Sequence, residues 1–207
     1  MARITELKPQ KNRTDRYNLY LDDVYKFPVS ANTVLAAGLH VGMEIDEAEI
    51  TQIRQSAEVG NAHDKALSYL DLRRRSTKEI RDYLRRKDYE PEVIDKVIDR
   101  LSNAKLLNDE EFARAWIRDR NLLKPRSKQT LSVELYAKGI DRQLIDAVLA
   151  DIDQQAEQAA LQYALRRRLR QAKYAGRDND DALIAALARE GYRYQDIKSC
   201  LSQIGDR

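Results

Sequence analysis

Apolar residues that return at a fixed spacing constrain this chain more than any other feature, because a helical repeat sets both the elements and their order. Ile80, Leu84, Ile94, Val97 and Ile98 recur 51 residues later as Leu131, Leu135, Ile145, Val148 and Leu149, and 52 residues further on as Leu183, Leu187, Ile197, Cys200 and Leu201. The punctuation recurs with them. Lys87-Asp88-Tyr89, Lys138-Gly139-Ile140 and Glu190-Gly191-Tyr192 coincide, placing Asp or Gly where a helix ends in the left-handed conformation and an apolar residue just after. Ser76, Ser127 and Asn179 coincide as N-cap residue types ahead of the middle helix.

The leading helices follow another register. Leu70 and Arg73 match Ile117 and Arg120 at an offset of 47, so the second repeat carries extra residues, including Lys124-Pro125-Arg126, before Ser127. A long leading helix from about Gln154 to Lys173 opens the third, with Ala160, Leu161, Ala164, Leu165 and Leu169 inward, before a loop holding Gly176 and Asp178 to Asp181. The spacing therefore predicts a mainly α protein of three tandem three-helix repeats, at residues 61–107, 108–153 and 154–207. Each repeat has few apolar residues for a core of its own, so neighbours should stack into an elongated, curved array.

Residues 1–60 have a different period. Tyr17, Leu19 and Leu21 alternate with polar residues, Asp22-Asp23 makes a turn, and Tyr25, Phe27 and Val29 alternate again, which is a β-hairpin pattern. Ile4 and Leu7 begin a third strand. A short helix through Thr33 to Ala37 stops at Gly38, and a second opens after Asp46, with Glu49 completing a capping box. The expectation is a small α+β N-terminal module, followed by helical periodicity from His63.

Composition narrows the function. With 207 residues, 43% of them hydrophobic, the chain can build a continuous core. A single cysteine excludes an internal disulfide framework, and Cys200 with two histidines cannot make an ordinary structural zinc site, so a reducing cytoplasm and no metal are expected. No stretch approaches the roughly 20 apolar residues of a membrane span, so no membrane partner is expected. Phosphate-cradling glycine loops and the H-E-x-x-H pattern are missing, and neither His40 nor His63 sits in a recognisable catalytic grouping. The sequence points to no enzyme and no cofactor. Asp109-Glu110-Glu111 complements the dipole of the helix carrying Phe112 and Trp116, with Asn108 as its cap, and Cys200 occupies a core position.

The cations are the remaining candidates. Net charge is +3, but basic residues cluster as Arg73-Arg74-Arg75, Arg85-Arg86-Lys87 and Arg166-Arg167-Arg168. Such triplets serve equally as solvated helix faces paired with acids such as Asp71 and Asp82. If the repeats stack in register, Arg73, Arg74, Arg75, Lys124, Arg126, Lys128, Arg166, Arg167, Arg168, Arg170 and Lys173 form a stripe suited to phosphates or an acidic protein surface.

Taken in order, these motifs resemble the RecX family of RecA regulators across residues 62–204. Ala66-Leu67-Ser68-Tyr69-Leu70, then Arg73-Arg74-Arg75-Ser76-Thr77-Lys78-Glu79-Ile80, is similar to that family's first unit, and Asn108-Asp109-Glu110-Glu111-Phe112-Ala113-Arg114-Ala115-Trp116 with Glu134-Leu135-Tyr136-Ala137-Lys138-Gly139-Ile140 to its second. The hairpin around Tyr17-Asn18-Leu19-Tyr20-Leu21-Asp22 resembles the N-terminal extension of longer members. The resemblance implies a monomeric, cytoplasmic, non-enzymatic protein that binds the RecA filament on single-stranded DNA and restrains its recombinase, ATPase and co-protease activities, with weak contact to single- or double-stranded DNA. A direct DNA-binding helical-repeat protein acting without RecA is the competing expectation.

Overall fold

A computed structural model of the protein describes residues 1–11, 13–171, 174 and 179–203. It opens with strands β1 (Ala2–Gln10), β2 (Arg13–Leu21) and β3 (Val24–Ser30), helix α1 (Ala31–Ala36), a short strand β4 (Glu44–Ile45) and helix α2 (Glu47–Leu70). The antiparallel sheet has the order β3-β2-β1-β4. As the alternation predicts, β2 and β3 form a hairpin in which Leu19 faces Phe27 and Leu21 faces Val24, and Asp22 and Asp23 turn it with φ of 49° and 64°. Strand β4 was not foreseen, because two residues carry no period; it pairs Ala2 with Ile45 and closes the sheet's other side.

Helix α2 differs from its expected form. Two helices, one after Asp46 and one from His63, are in fact a single 24-residue helix. The capping box is present, with Asp46 and Glu49 exchanging backbone-to-carboxylate bonds of 2.8 Å each. Gly60 lies within α2, and burial on both sides outweighs the roughly 1 kcal/mol that a mid-helix glycine costs. Ile50, Ile53 and Ala57 pack under the sheet with Ile4, Leu19 and Val29, whereas Val59, Ala62 and Ala66 enter the core of the first repeat. One helix thus serves two cores.

The remaining helices are α3 (Thr77–Arg85), α4 (Pro91–Asn103), α5 (Asp109–Leu123), α6 (Lys128–Ala137), α7 (Arg142–Ala150), α8 (Gln154–Leu169), α9 (Asp180–Arg189) and α10 (Tyr194–Gln203). The end of α2 with α3 and α4 makes the first repeat, α5 to α7 the second and α8 to α10 the third. Each encloses its own buried cluster, around Ile80, Leu84 and Val97, around Leu131, Leu135 and Val148, and around Leu183, Leu187 and Cys200. Those are the residues that the repeat spacing selects.

The helix stops are also repeated in detail. Asp88, Gly139 and Gly191 have φ of 60°, 81° and 89°. The next amide in each case reaches back over the turn, Tyr89 to the Leu84 carbonyl at 3.3 Å, Ile140 to Leu135 at 3.1 Å and Tyr192 to Leu187 at 3.2 Å. At the starts, the Ser127 side chain accepts the Thr130 amide at 3.1 Å and Asn108 accepts those of Glu110 and Glu111. Asn179 makes no side-chain cap bond to α9.

Contacts between residues divide the chain into two compact units, residues 1–75 with 79–107, and residues 76–78 with 108–207. The first turn of α3 thus belongs with the second unit. There the buried Ser76 hydroxyl donates to the Lys138 carbonyl at 2.7 Å, and a Cβ on Gly139 would lie 2.5 Å from the Lys78 Cβ. One repeat later the buried Ser127 hydroxyl donates to the Glu190 carbonyl, Thr130 adds a bond of 2.9 Å, and a Cβ on Gly191 would lie 2.6 Å from the Gln129 Cβ. The same joint is built twice.

Candidate partner-binding surface

The leading helices carry a recurrence that follows from the 47-residue register. Tyr69 and Arg73, Trp116 and Arg120, and Tyr163 and Arg167 stand at successive offsets of 47, an aromatic residue four positions before an arginine each time. A carboxylate from farther along the repeat fastens each arginine. Arg73 donates to both oxygens of Glu79, at 2.9 and 3.2 Å. Arg120 donates through Nε to Glu134 at 2.7 Å, and the Trp116 indole shares that oxygen at 2.8 Å. Arg167 donates to both Glu190 oxygens, at 2.9 and 2.7 Å, and Arg168 joins it on the same carboxylate. Hydrogen bonds to Glu79 and Glu190 push the Arg73 and Arg168 guanidinium pKa up, so both stay charged.

Aromatic rings hold further cations. Arg75 lies 3.8 Å from the Tyr69 ring centre, and Tyr69 stacks on Tyr83 at 4.1 Å. Trp116 has Arg120 at 4.6 Å and Lys138 at 5.0 Å. These rings are already covered by cations of their own chain. Tyr163, in contrast, is 39% exposed.

The sequence-selected cations therefore separate by environment. In the first compact unit Arg73 and Arg75 are held as described, and Arg74 is exposed. In the second, Lys128 donates to the Ile152 carbonyl at 2.9 Å and stands 3.4 Å from Glu157. Arg126 is half-buried, and it and Arg167 favour ionisation of the Tyr192 phenol. Lys124 at the end of α5, and Arg166 and Arg170 at the end of α8, are exposed. Lys173 lies outside the described residues. The structure thus brings Arg167 and Arg168 together on Glu190, with Arg126 near Tyr192. Sequence reasoning missed the anchoring carboxylates Glu79, Glu134 and Glu190, which no fixed spacing marks; the 47-residue register, extended once more, would have found Tyr163 as the partner of Arg167 in the pattern.

Among the described residues, no group of three or more His, Cys, Asp or Glu side chains could hold a metal ion, and no helix is long and apolar enough to cross a membrane. Cys200 is buried, which raises its thiol pKa and suits a core position. The buried Tyr192 phenol donates to the Ala160 carbonyl at 3.1 Å, and burial pushes its pKa up to about 12. These groups fix packing; they do not compose a reaction centre.

An antiparallel sheet domain followed by tandem three-helix repeats, with arginines fastened at recurring positions, defines a helical-repeat protein. The comparisons give it a family. Residues 2–46 match the regulatory protein RecX N-terminal domain, residues 62–101 the first RecX three-helix domain and residues 108–149 the second. Regulatory protein RecX of Bacillus subtilis is 34% identical over 207 residues, covering 99% of this chain and 78% of the relative. That of Listeria monocytogenes serovar 1/2a is 30% identical over 202 residues, covering 97% and 75%. A crystal structure of regulatory protein RecX superposes with a TM-score of 0.79 at 25% identity, over 96% of this chain and 100% of that one. The RecX structure from Lactobacillus salivarius shares the fold, with a TM-score of 0.64 at 20% identity over 72% of this chain and 97% of that one. The chain belongs to the RecX family of regulatory proteins, which is not an enzyme family.

Proposed function

We propose that this protein binds the RecA filament on single-stranded DNA and holds down RecA's recombinase, ATPase and co-protease activities, acting in the cytoplasm as a monomer. What supports this most is the tandem repetition itself. A chain that builds the same joint twice, at Ser76 with Lys138 and at Ser127 with Glu190, repeats one structural unit along its sequence, which suits a partner that is itself a repeating polymer. Several weak contacts made by one body share a single association cost.

In this reading the sheet domain and the three repeats, divided near residues 60, 107 and 153, act as successive contact modules. The exposed cations Arg74, Lys124, Arg166 and Arg170 meet acidic filament surface or DNA phosphate. Arg73, Arg75, Arg126, Lys128, Arg167 and Arg168 complete the basic surface. The test is co-sedimentation with RecA filaments, compared with bare single-stranded DNA at rising salt. Binding that requires RecA at physiological salt is the expected result; tight binding to bare DNA under the same conditions would overturn it.

A further inference from the structure

Helix α6 turns an uncharged face outward in a chain of which 34% is charged. Its two charged side chains are engaged within the second compact unit, where Lys128 donates to the Ile152 carbonyl and Glu134 accepts from Trp116 and Arg120. What stays exposed on α6 is Gln129, Val133, Tyr136 and Ala137, with Val133 at 65% and Tyr136 at 70%. Val133 and Tyr136 stand three residues apart, so they are neighbours on the helix surface. Neither serves the core of its own repeat, to which α6 contributes Leu131 and Leu135.

The repeat register sets this face apart from its counterpart in the first repeat. Val133 and Tyr136 correspond to Asp82 and Arg85, 51 residues earlier, which form an ion pair of 3.0 Å, and to Ala185 and Ala188, 52 residues later, which are both exposed. Helices α6 and α9 thus carry apolar residues where α3 carries charge, and the Ser127 joint sets the end of α9 against the start of α6. Depletion of charge together with an exposed tyrosine is the composition of the centre of a protein–protein contact. A nucleic acid backbone requires cations, and the exposed positions of α6 supply none. A second copy of the chain fails on area. An aromatic side chain buries about 150–250 Å², so Tyr136, Val133 and two alanines fall well short of the roughly 800 Å² that each member of a stable pair contributes. The occupant is therefore a protein that other contacts already hold.

We propose that Val133 and Tyr136, with Ala185 and Ala188 at the equivalent positions of the third repeat, dock on uncharged, apolar surface of RecA protomers in the filament. This rests on the filament-binding reading and names residues outside its basic surface. Exposed cations such as Lys124, Arg166 and Arg170 supply attraction that salt screens. Burial of Val133 and Tyr136 supplies a part that salt does not screen.

The test is co-sedimentation of the full chain with RecA filaments on single-stranded DNA across a range of potassium chloride concentrations. Val133→Asp with Tyr136→Arg gives the second repeat the ion pair that Asp82 and Arg85 form in the first, so the helix should fold as before, which the urea unfolding midpoint checks. This variant should bind at least tenfold more weakly. Val133→Ala with Tyr136→Ala copies Ala185 and Ala188 and keeps a good helix former at both exposed positions. It should lose at least threefold, by the same factor at every salt concentration. A folded variant of either kind that binds within twofold of the parent, or a loss that disappears at high salt, would overturn the proposal and leave the filament reading standing. A parent chain that does not sediment with the filaments would overturn both. Sedimentation velocity of the parent alone should show a monomer; a dimer that Val133→Asp with Tyr136→Arg abolishes would overturn the proposal by assigning the face to a second copy.

Discussion

The Ser76 hydroxyl donates to the Lys138 carbonyl oxygen at 2.7 Å, bonding the start of one middle helix to the end of the next, and Ser127 repeats the arrangement with Glu190. Both serines are buried; loss of the Ser76 hydroxyl removes its bond to the Lys138 carbonyl, whereas the Glu190 carbonyl keeps the Thr130 hydroxyl as a donor when Ser127 is lost. Ser76→Ala and Ser127→Ala should each destabilise by about 1–3 kcal/mol. Ser127→Ala also removes the cap on the Thr130 amide. Urea unfolding measures both, and midpoints equal to the parent's would remove the joint's energetic role.

The glycines beside those carbonyls make a sharper comparison. Gly139 and Gly191 have positive φ, and an added Cβ would lie 2.5 Å from Lys78 or 2.6 Å from Gln129. Asp88, at the same place in the first repeat, has φ of 60° and keeps its side chain exposed. Backbone strain alone is worth about 1–2 kcal/mol, and the collision adds to it. Gly139→Ala and Gly191→Ala should therefore be strongly destabilising, whereas Asp88→Gly should leave the unfolding midpoint level or slightly raised. Equal, small effects at all three sites would contradict this.

Tyr192 sets a pH dependence. Its folded pKa of about 12 lies above the ordinary value of 10.0, so its stabilising contribution is complete below pH 10 and is lost as pH rises through 12. Phenolate absorbance should show one tyrosine ionising late. Tyr192→Phe should flatten the fall in stability between pH 10 and 12, and a slope identical to the parent's would exclude Tyr192 as its source.

The arginines at the end of α8 should divide by role. Arg167 and Arg168 share Glu190, whose side chain is 19% exposed, so Arg167→Ala with Arg168→Ala should destabilise by about 1–3 kcal/mol. Arg166 and Arg170 are exposed, and Arg166→Glu with Arg170→Glu should leave stability unchanged while weakening RecA filament binding at least tenfold and lessening its salt dependence. The reverse division would place the contact on the Glu190-anchored pair.

Much of this arrangement was legible in the chain. The apolar positions of the middle and last helices recur at 51 and 52 residues because burial acts on them alike in each repeat, and Asp88, Gly139 and Gly191 mark the stops because left-handed backbone restricts residue choice. What spacing could not supply were the anchors. Glu134 and Glu190 sit far along the chain from Arg120 and Arg167 and are brought to them by packing. The change of period near residue 60 separates a helix after Asp46 from one at His63, and only the two cores flanking α2 explain why they are one helix. For the candidate surface, the basic residues were legible as types, but not which ones already serve an internal carboxylate.

The most direct test of the proposed role is the rate of ATP hydrolysis by cognate RecA on single-stranded DNA as this protein is added from substoichiometric to equimolar amounts. A filament-restraining protein should lower the rate progressively, beginning below one molecule per RecA protomer. A rate unchanged up to equimolar protein would contradict that role.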